Sequence, residues 1–210
     1  MTSKPVSPTP VELLKAKKTP DLVTVPARMA IALRGAGSPD APDFAEAVGA
    51  LYGIAYTMRF ARKKTGLPVF KVGTLEGEWW AEGEDLPTDR IPDRDTWRWE
   101  VRIAMPDDAT VEEVADAIEA ATTKKKGKLF GSEVARSVKL VELPETRIAR
   151  LLHLGPYSEE PASFERIDVM LEEEGLRREH RHTEIYLSDP SRTAPEKLKT
   201  VLVVSVEAKG

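Results

Sequence analysis

Glu184 is the residue whose type and setting offer the most chemistry, in the run Thr183-Glu-Ile-Tyr-Leu-Ser-Asp-Pro190. Ile185 and Leu187 alternate with Glu184 and Tyr186, so on a strand the carboxylate and the phenol share the face opposite the two aliphatic side chains. A carboxylate beside an aromatic ring on such a strand neutralises a delocalised cation or takes a proton from water as a general base. An ordinary solvated strand face has the same spacing, so spacing alone does not choose between these readings.

The tryptophans bear on that choice. Trp79 and Trp80 are adjacent, so on a strand they point to opposite faces, and if one is core the other needs a partner. A flat hydrophobic ligand supplies one; so does burial against a neighbouring module or the amino-terminal arm. Trp97 and Trp99 share a face with Val101 and Ile103, which favours packing for at least one of them. Further along, His153-Leu-Gly-Pro-Tyr-Ser158 ends a strand in a Gly/Pro turn and sets His153 and Tyr157 at a lip, as hydrogen-bond donors to a ligand or as part of the turn itself. His180-x-His182 puts two imidazoles on one face of a strand, but no third ligand accompanies them, and we expect no metal and no cofactor. Lys124, Lys125 and Lys126 complement the negative end of a helix rather than form a phosphate site.

Composition narrows the partners. The 210 residues are 41% apolar and carry 31 basic against 35 acidic side chains, a net charge of −4 that gives no general attraction for nucleic acid. No apolar run is long enough to span a membrane, and no secretory signal precedes the domain, so we expect a cytoplasmic protein without membrane partners. With no cysteine, disulfides, thiol nucleophiles and thiolate metal sites are all excluded. The chain carries no Gly-rich phosphate loop, GxSxG elbow, HExxH or EF-hand loop.

The elements that must position these residues are legible from punctuation and periodicity. Residues 1–20 read as an arm with a short amphipathic turn at Val11-Glu-Leu-Leu14. A strand from about Leu22 to Arg34 stops at Gly35-Ala-Gly37-Ser-Pro39, and a helix follows with Phe44, Val48, Leu51, Ala55 and Met58 as its buried stripe and Gly66 beyond its end. Strands at Val69 to Ala81 and Trp97 to Met105 flank a polar loop containing Pro87 and Pro92. Thr110 and Glu113 form a capping box for a second helix. The order then restarts, with a strand from Val138 to Leu154, a helix from Pro161 to Glu174, a strand Glu184–Ser188 and a last strand from Lys199 to Glu207.

Aligning Val25-Pro26 with Leu143-Pro144 carries Gly37 onto Gly155 without a gap. The expected fold is α+β, with tandem strand–helix–strand–strand modules over residues 21–127 and 138–207, a pair of antiparallel sheets, and a ligand cleft between them. Monomer and dimer are both compatible with it.

The runs Leu75-Glu-Gly-Glu-Trp-Trp-Ala81, His153-Leu-Gly-Pro-Tyr-Ser-Glu-Glu160 and Glu184-Ile-Tyr-Leu-Ser-Asp-Pro-Ser-Arg-Thr-Ala-Pro-Glu-Lys-Leu-Lys199 resemble the GyrI-like small-molecule-binding proteins over roughly residues 20–207. The resemblance implies a cleft with a buried acid for cationic drugs, which by motif position is Glu184, and a free-standing member, since only about 20 residues precede the first strand. It further implies kinship with a subfamily that hydrolyses cyclopropane-bearing DNA alkylators in an aromatic cage, for which Trp80, Trp99, Tyr157, Tyr186, His153 and Glu78 are the candidate ligand-binding residues and Glu184 the catalytic one. Three functions therefore stand side by side: a binder of planar, lipophilic, cationic or electrophilic xenobiotics, a hydrolase of cyclopropanoid toxins, and a gyrase-modulating interaction module. The third is least favoured, because an acidic chain without a basic patch offers such a partner no handle.

Overall fold

The computed structural model describes residues 5–81, 96–123 and 131–209. Among the described residues, eight strands form one antiparallel sheet: β1 (Asp21–Val25), β2 (Arg28–Ala36), β3 (Glu76–Ala81), β4 (Trp97–Met105), β5 (Lys139–Leu143), β6 (Thr146–Leu154), β7 (Leu176–Tyr186) and β8 (Lys199–Ala208). Their order is β1-β6-β8-β7-β3-β4-β2-β5. The helices are α1 (Val11–Leu14), α2 (Pro42–Thr65), α3 (Val111–Thr123), α4 (Ser132–Ser137) and α5 (Glu160–Glu173). Among the described residues no helix is long and apolar enough to cross a membrane.

The strand–helix–strand–strand order occurs twice, as β2-α2-β3-β4 and β6-α5-β7-β8. The expected pair of sheets is, however, a single one. β3 pairs with β7 through Glu76↔Ile185, Gly77↔Glu184, Glu78↔Thr183 and Trp79↔His182, joining the two halves edge to edge. This removes two strand edges whose backbone groups would otherwise lie unpaired.

Each long first strand is also broken in two. Proline has no N–H to donate and interrupts a ladder, and here Pro26 separates β1 from β2 while Pro144 separates β5 from β6. The same offset runs through Asp21↔Arg150, Val25↔Thr146, Arg28↔Leu143 and Ala32↔Lys139, so the two long strands pair with each other on both sides of the breaks. Each thereby serves both halves of the sheet.

Local signals placed the helices well. Pro42 opens α2, Arg62, Lys63 and Lys64 lie in its last turn, and Gly66 closes it in the left-handed conformation. The capping box of α3 forms in both directions, Glu113 N donating to Thr110 Oγ1 and Thr110 N to Glu113 Oε2, each at 3.2 Å. Sequence patterning missed α4, whose six residues are too few to show a period. It also drew β3 too long at its start and β7 too short, because a bulge between Arg178 and His182 breaks the alternation. The loop with Pro87 and Pro92, and Lys124 to Lys126, lie outside the described residues.

Paired positions share a face, so the registers divide the sheet cleanly. On one face α2 buries Leu51, Ile54 and Met58 against Ile31, Val101 and Ile103, and α5 buries Ile167 and Leu171 against Leu151 and Leu202. Each such side chain contributes about 1.5–3 kcal/mol. The arm covers part of the other face, where Leu13 packs with Val25, Ile185, Val201 and Val203.

Candidate functional site

Between α2 and α5, above the β3–β7 junction, lies a cavity of about 830 Å³. Phe44, Val48 and Tyr52 of α2, Trp79 of β3 and Trp97 of β4 form its wall on one side; Tyr157, Glu160 and Phe164, with His182, Glu184 and Tyr186 of β7, form the other. The rings support one another. Phe44 stacks on Trp79 at 5.3 Å, Trp97 meets Trp79 edge-on at 5.4 Å, and Tyr157 meets Tyr186 edge-on at 6.0 Å. Contacts of this kind add about 0.5–1.5 kcal/mol beyond burial and fix ring positions.

At the centre, Trp79 Nε1 donates to Tyr186 Oη at 3.1 Å, and the Glu184 carboxylate lies on the same face of β7 as Tyr186. On its other side Glu184 Oε1 lies 3.2 Å from His182 Nε2. Gly77 makes this arrangement possible: a Cβ there would sit 2.9 Å from Trp79 Nε1 and 3.1 Å from Tyr186 Oη. Burial first, and then the Glu184 charge, push the Tyr186 phenol well above its ordinary value, against the opposing hydrogen bond from Trp79. Burial followed by the Glu184 carboxylate pushes Tyr157 up to about 12. Both phenols keep their protons at neutral pH and are donors.

Glu160 lines the same cavity as Glu184. It is 6% exposed, its Oε1 has no hydrogen-bond partner, and burial together with Glu184 holds it well above the usual carboxylate range.

Of the residues singled out from sequence, Glu184, Tyr186 and Tyr157 line this cavity, and Trp80, Trp99, Glu78 and His153 do not. Trp80 lies on the opposite face of β3, under the Arg181 guanidinium at 4.3 Å. Alternation required Trp79 and Trp80 to diverge, but pairing with β4 and β7 decided that Trp79 faces the helices. Trp99 is on the correct face but 2% exposed, lying across its cross-strand partner Gly35, where a Cβ would come within 2.2 Å of the ring. Phe44 caps it edge-on, so it packs beneath the wall. Glu78 shares the Trp80 face and pairs with Arg102 at 2.6 Å. His153 opens on a separate depression of about 590 Å³, with Nδ1 2.9 Å from Ser163 Oγ and Nε2 3.2 Å from the Pro156 carbonyl.

Phe44, Trp79, Trp97, Phe164, His182 and Glu160 escaped the sequence reading as site residues. Phe44 reads as core stripe and Trp79 and Trp97 as candidates for packing, and all four Phe and Trp rings do join the hydrophobic clusters, while Glu160 falls just outside the helix expected from Pro161. A signal was present, since Glu160 closes the His153–Glu160 motif. The bulge in β7 removes the simple pairing of His180 with His182, and among the described residues no group of three or more acidic, His or Cys side chains is placed to hold a metal.

Residues 18–207 match the family model described as the GyrI-like small molecule binding domain. An uncharacterized conserved protein from Listeria innocua is 35% identical, covers 94% of this chain and 96% of its own, and superposes with a TM-score of 0.84. A hydrolase from the same organism is 34% identical over the same shares, with a TM-score of 0.82. The C-terminal domain of EcmrR, at 13% identity, 91% of this chain, 98% of its own and a TM-score of 0.55, shares the fold. No curated protein matches the chain.

Proposed function

The chain belongs to the GyrI-like small molecule binding domain family, and from that premise we propose that its cavity takes planar, lipophilic xenobiotics, cationic or electrophilic, and hydrolyses cyclopropanoid DNA alkylators. The observation that carries this reading is the meeting of aromatic walls from both halves around a buried carboxylate held by His182 beside the Tyr186 phenol. The hydrolase from Listeria innocua, similar along nearly the whole chain, supports it.

In this reading the rings of Phe44, Trp79, Trp97 and Tyr157 hold the flat electrophile, and Glu184 accepts a proton from a water molecule. The water oxygen bonds to the cyclopropane carbon as the strained C–C bond breaks. The electron pair of that bond passes to the conjugated carbonyl oxygen, which becomes a phenolate, and protonation completes the addition of one water. Orientation and general-base help are the two effects required, the second worth about 10²–10⁴-fold. A phenol donor such as Tyr157 stabilises the charge arriving on the carbonyl oxygen.

Incubation with a cyclopropanoid alkylator, followed by mass spectrometry, is expected to give a product one water heavier. Tight binding with the compound returned intact would leave sequestration, the second reading. Its support is that two carboxylates on an aromatic surface stabilise a cation whether or not water enters.

A further inference from the structure

Glu160 and Glu184 line one cavity, 6% and 8% exposed, and Glu160 Oε1 has no partner. Among the described residues, the remaining titratable or charged groups on that cavity are Asp40 ahead of α2, Tyr52 of α2, Tyr157 ahead of α5, Arg178, His182 and Tyr186 of β7, and Asp189 after it. Arg178 is 3.0 Å from Asp168 and lies over the Phe164 ring at 5.5 Å. His182 is placed on Glu184, not on Glu160. Two carboxylates in one poorly hydrated site resist being ionised together. The amino end of α5 opposes that resistance by only about 0.3–1 kcal/mol.

We infer that Glu160 is a proton-exchange group: with the cavity empty or holding a neutral ligand, Glu160 holds a proton, and entry of a permanent cation expels that proton to solvent. The inference rests on the small-molecule reading above and extends it to ligand class. A neutral ligand with an acceptor oxygen receives a hydrogen bond from protonated Glu160. A cation instead gains a second counter-charge from the same side chain. One cavity thus serves both classes by changing its own charge.

Linkage gives the consequence. Affinity for the cation rises about tenfold per pH unit across the window in which one proton is released, and is flat on either side. Below that window both the free and the bound protein hold the proton; above it neither does. Affinity for a neutral ligand shows no such rise.

Titration calorimetry with rhodamine 6G, a permanent planar cation, in two buffers of different ionisation enthalpy tests this at intervals from about pH 5 to about pH 9, the range that buried glutamates reach. Release approaching one proton per dye is expected at its maximum, with none for the neutral dye Nile red. Glu160→Gln is expected to bind both dyes and to abolish the release and the pH slope. Rhodamine heats that do not depend on buffer at any pH would overturn the inference and leave small-molecule binding standing, and the wild-type series settles this without any variant. Undiminished release in Glu160→Gln would assign the proton elsewhere and equally overturn it. If neither dye binds, the small-molecule reading fails for this ligand class and the inference falls with it.

Discussion

On the face of the sheet turned from α2 and α5, acidic side chains meet arginines; on the helix face they meet aromatic rings. Glu76, fully buried, receives two bonds from Arg28 at 2.8 and 2.6 Å. Glu100 pairs with Arg34 and Arg102, and Glu78 with Arg102 and Arg181. Burial raises Glu100 but the arginines outweigh it, leaving its carboxyl below the ordinary value. Glu184 by contrast has an imidazole, and Glu160 Oε1 has no hydrogen-bond partner among the described residues. Carboxylates on the first face hold the sheet together. Those on the second are left for something else to neutralise, which is what a ligand site requires.

Removing the same charge on the two faces is therefore expected to have different results. The largest effect is Glu184→Gln, which should lower turnover of a neutral cyclopropanoid substrate about 10²–10⁴-fold with little change in its binding, read as kcat against KM. A raised KM with kcat unchanged would mean that Glu184 binds without acting as a base. Glu76→Gln should leave turnover at low temperature intact but cost about 3–5 kcal/mol in urea denaturation, because the Arg28 guanidinium keeps its charge without its partner. A stable Glu76→Gln protein would erase the distinction between the faces.

Glu160→Gln should stabilise. In the native chain Glu160 holds its proton to higher pH than in the unfolded chain. Stability is therefore full below the unfolded-state value, and falls as pH rises through the folded-state value. The variant should lack that fall and gain about 1–3 kcal/mol at the alkaline end, the typical cost of an unpartnered buried polar group. Thermal melts across pH would show it, and parallel curves for the two proteins would contradict it. The smallest difference separates two tryptophans. Trp97→Ala removes part of the cavity wall and should weaken rhodamine binding by about 0.5–1.5 kcal/mol, whereas Trp80→Ala, on the arginine face, should leave it unchanged.

The structure makes plain why some of this could be read in advance and some could not. Helix ends depend on contacts within a few residues, so Thr110 with Glu113, and Gly66, announce themselves. Alternation is equally local, and it put Glu184 and Tyr186 on one face and Ile185 on the other. Pro26 and Pro144 were visible, but that each marks a strand break depends on where the distant partner strand runs. Trp99 and Trp97 share a face by the same alternation, yet only the helix above tells them apart. Phe44 of α2 covers Trp99, while Trp97 faces the cavity.

The sequence by itself determined the repeated strand–helix–strand–strand pattern and the shared face of Glu184 and Tyr186, because these follow from periods and caps spanning a few residues. Tertiary structure alone decided which member of each tryptophan pair reaches the cavity, that Glu76, Glu78 and Glu100 would meet arginines, and that Glu160 and Glu184 would share one cavity. Those outcomes depend on strand register and on two helices meeting over the β3–β7 junction, contacts between residues as much as about 100 positions apart, whose geometry no local period encodes.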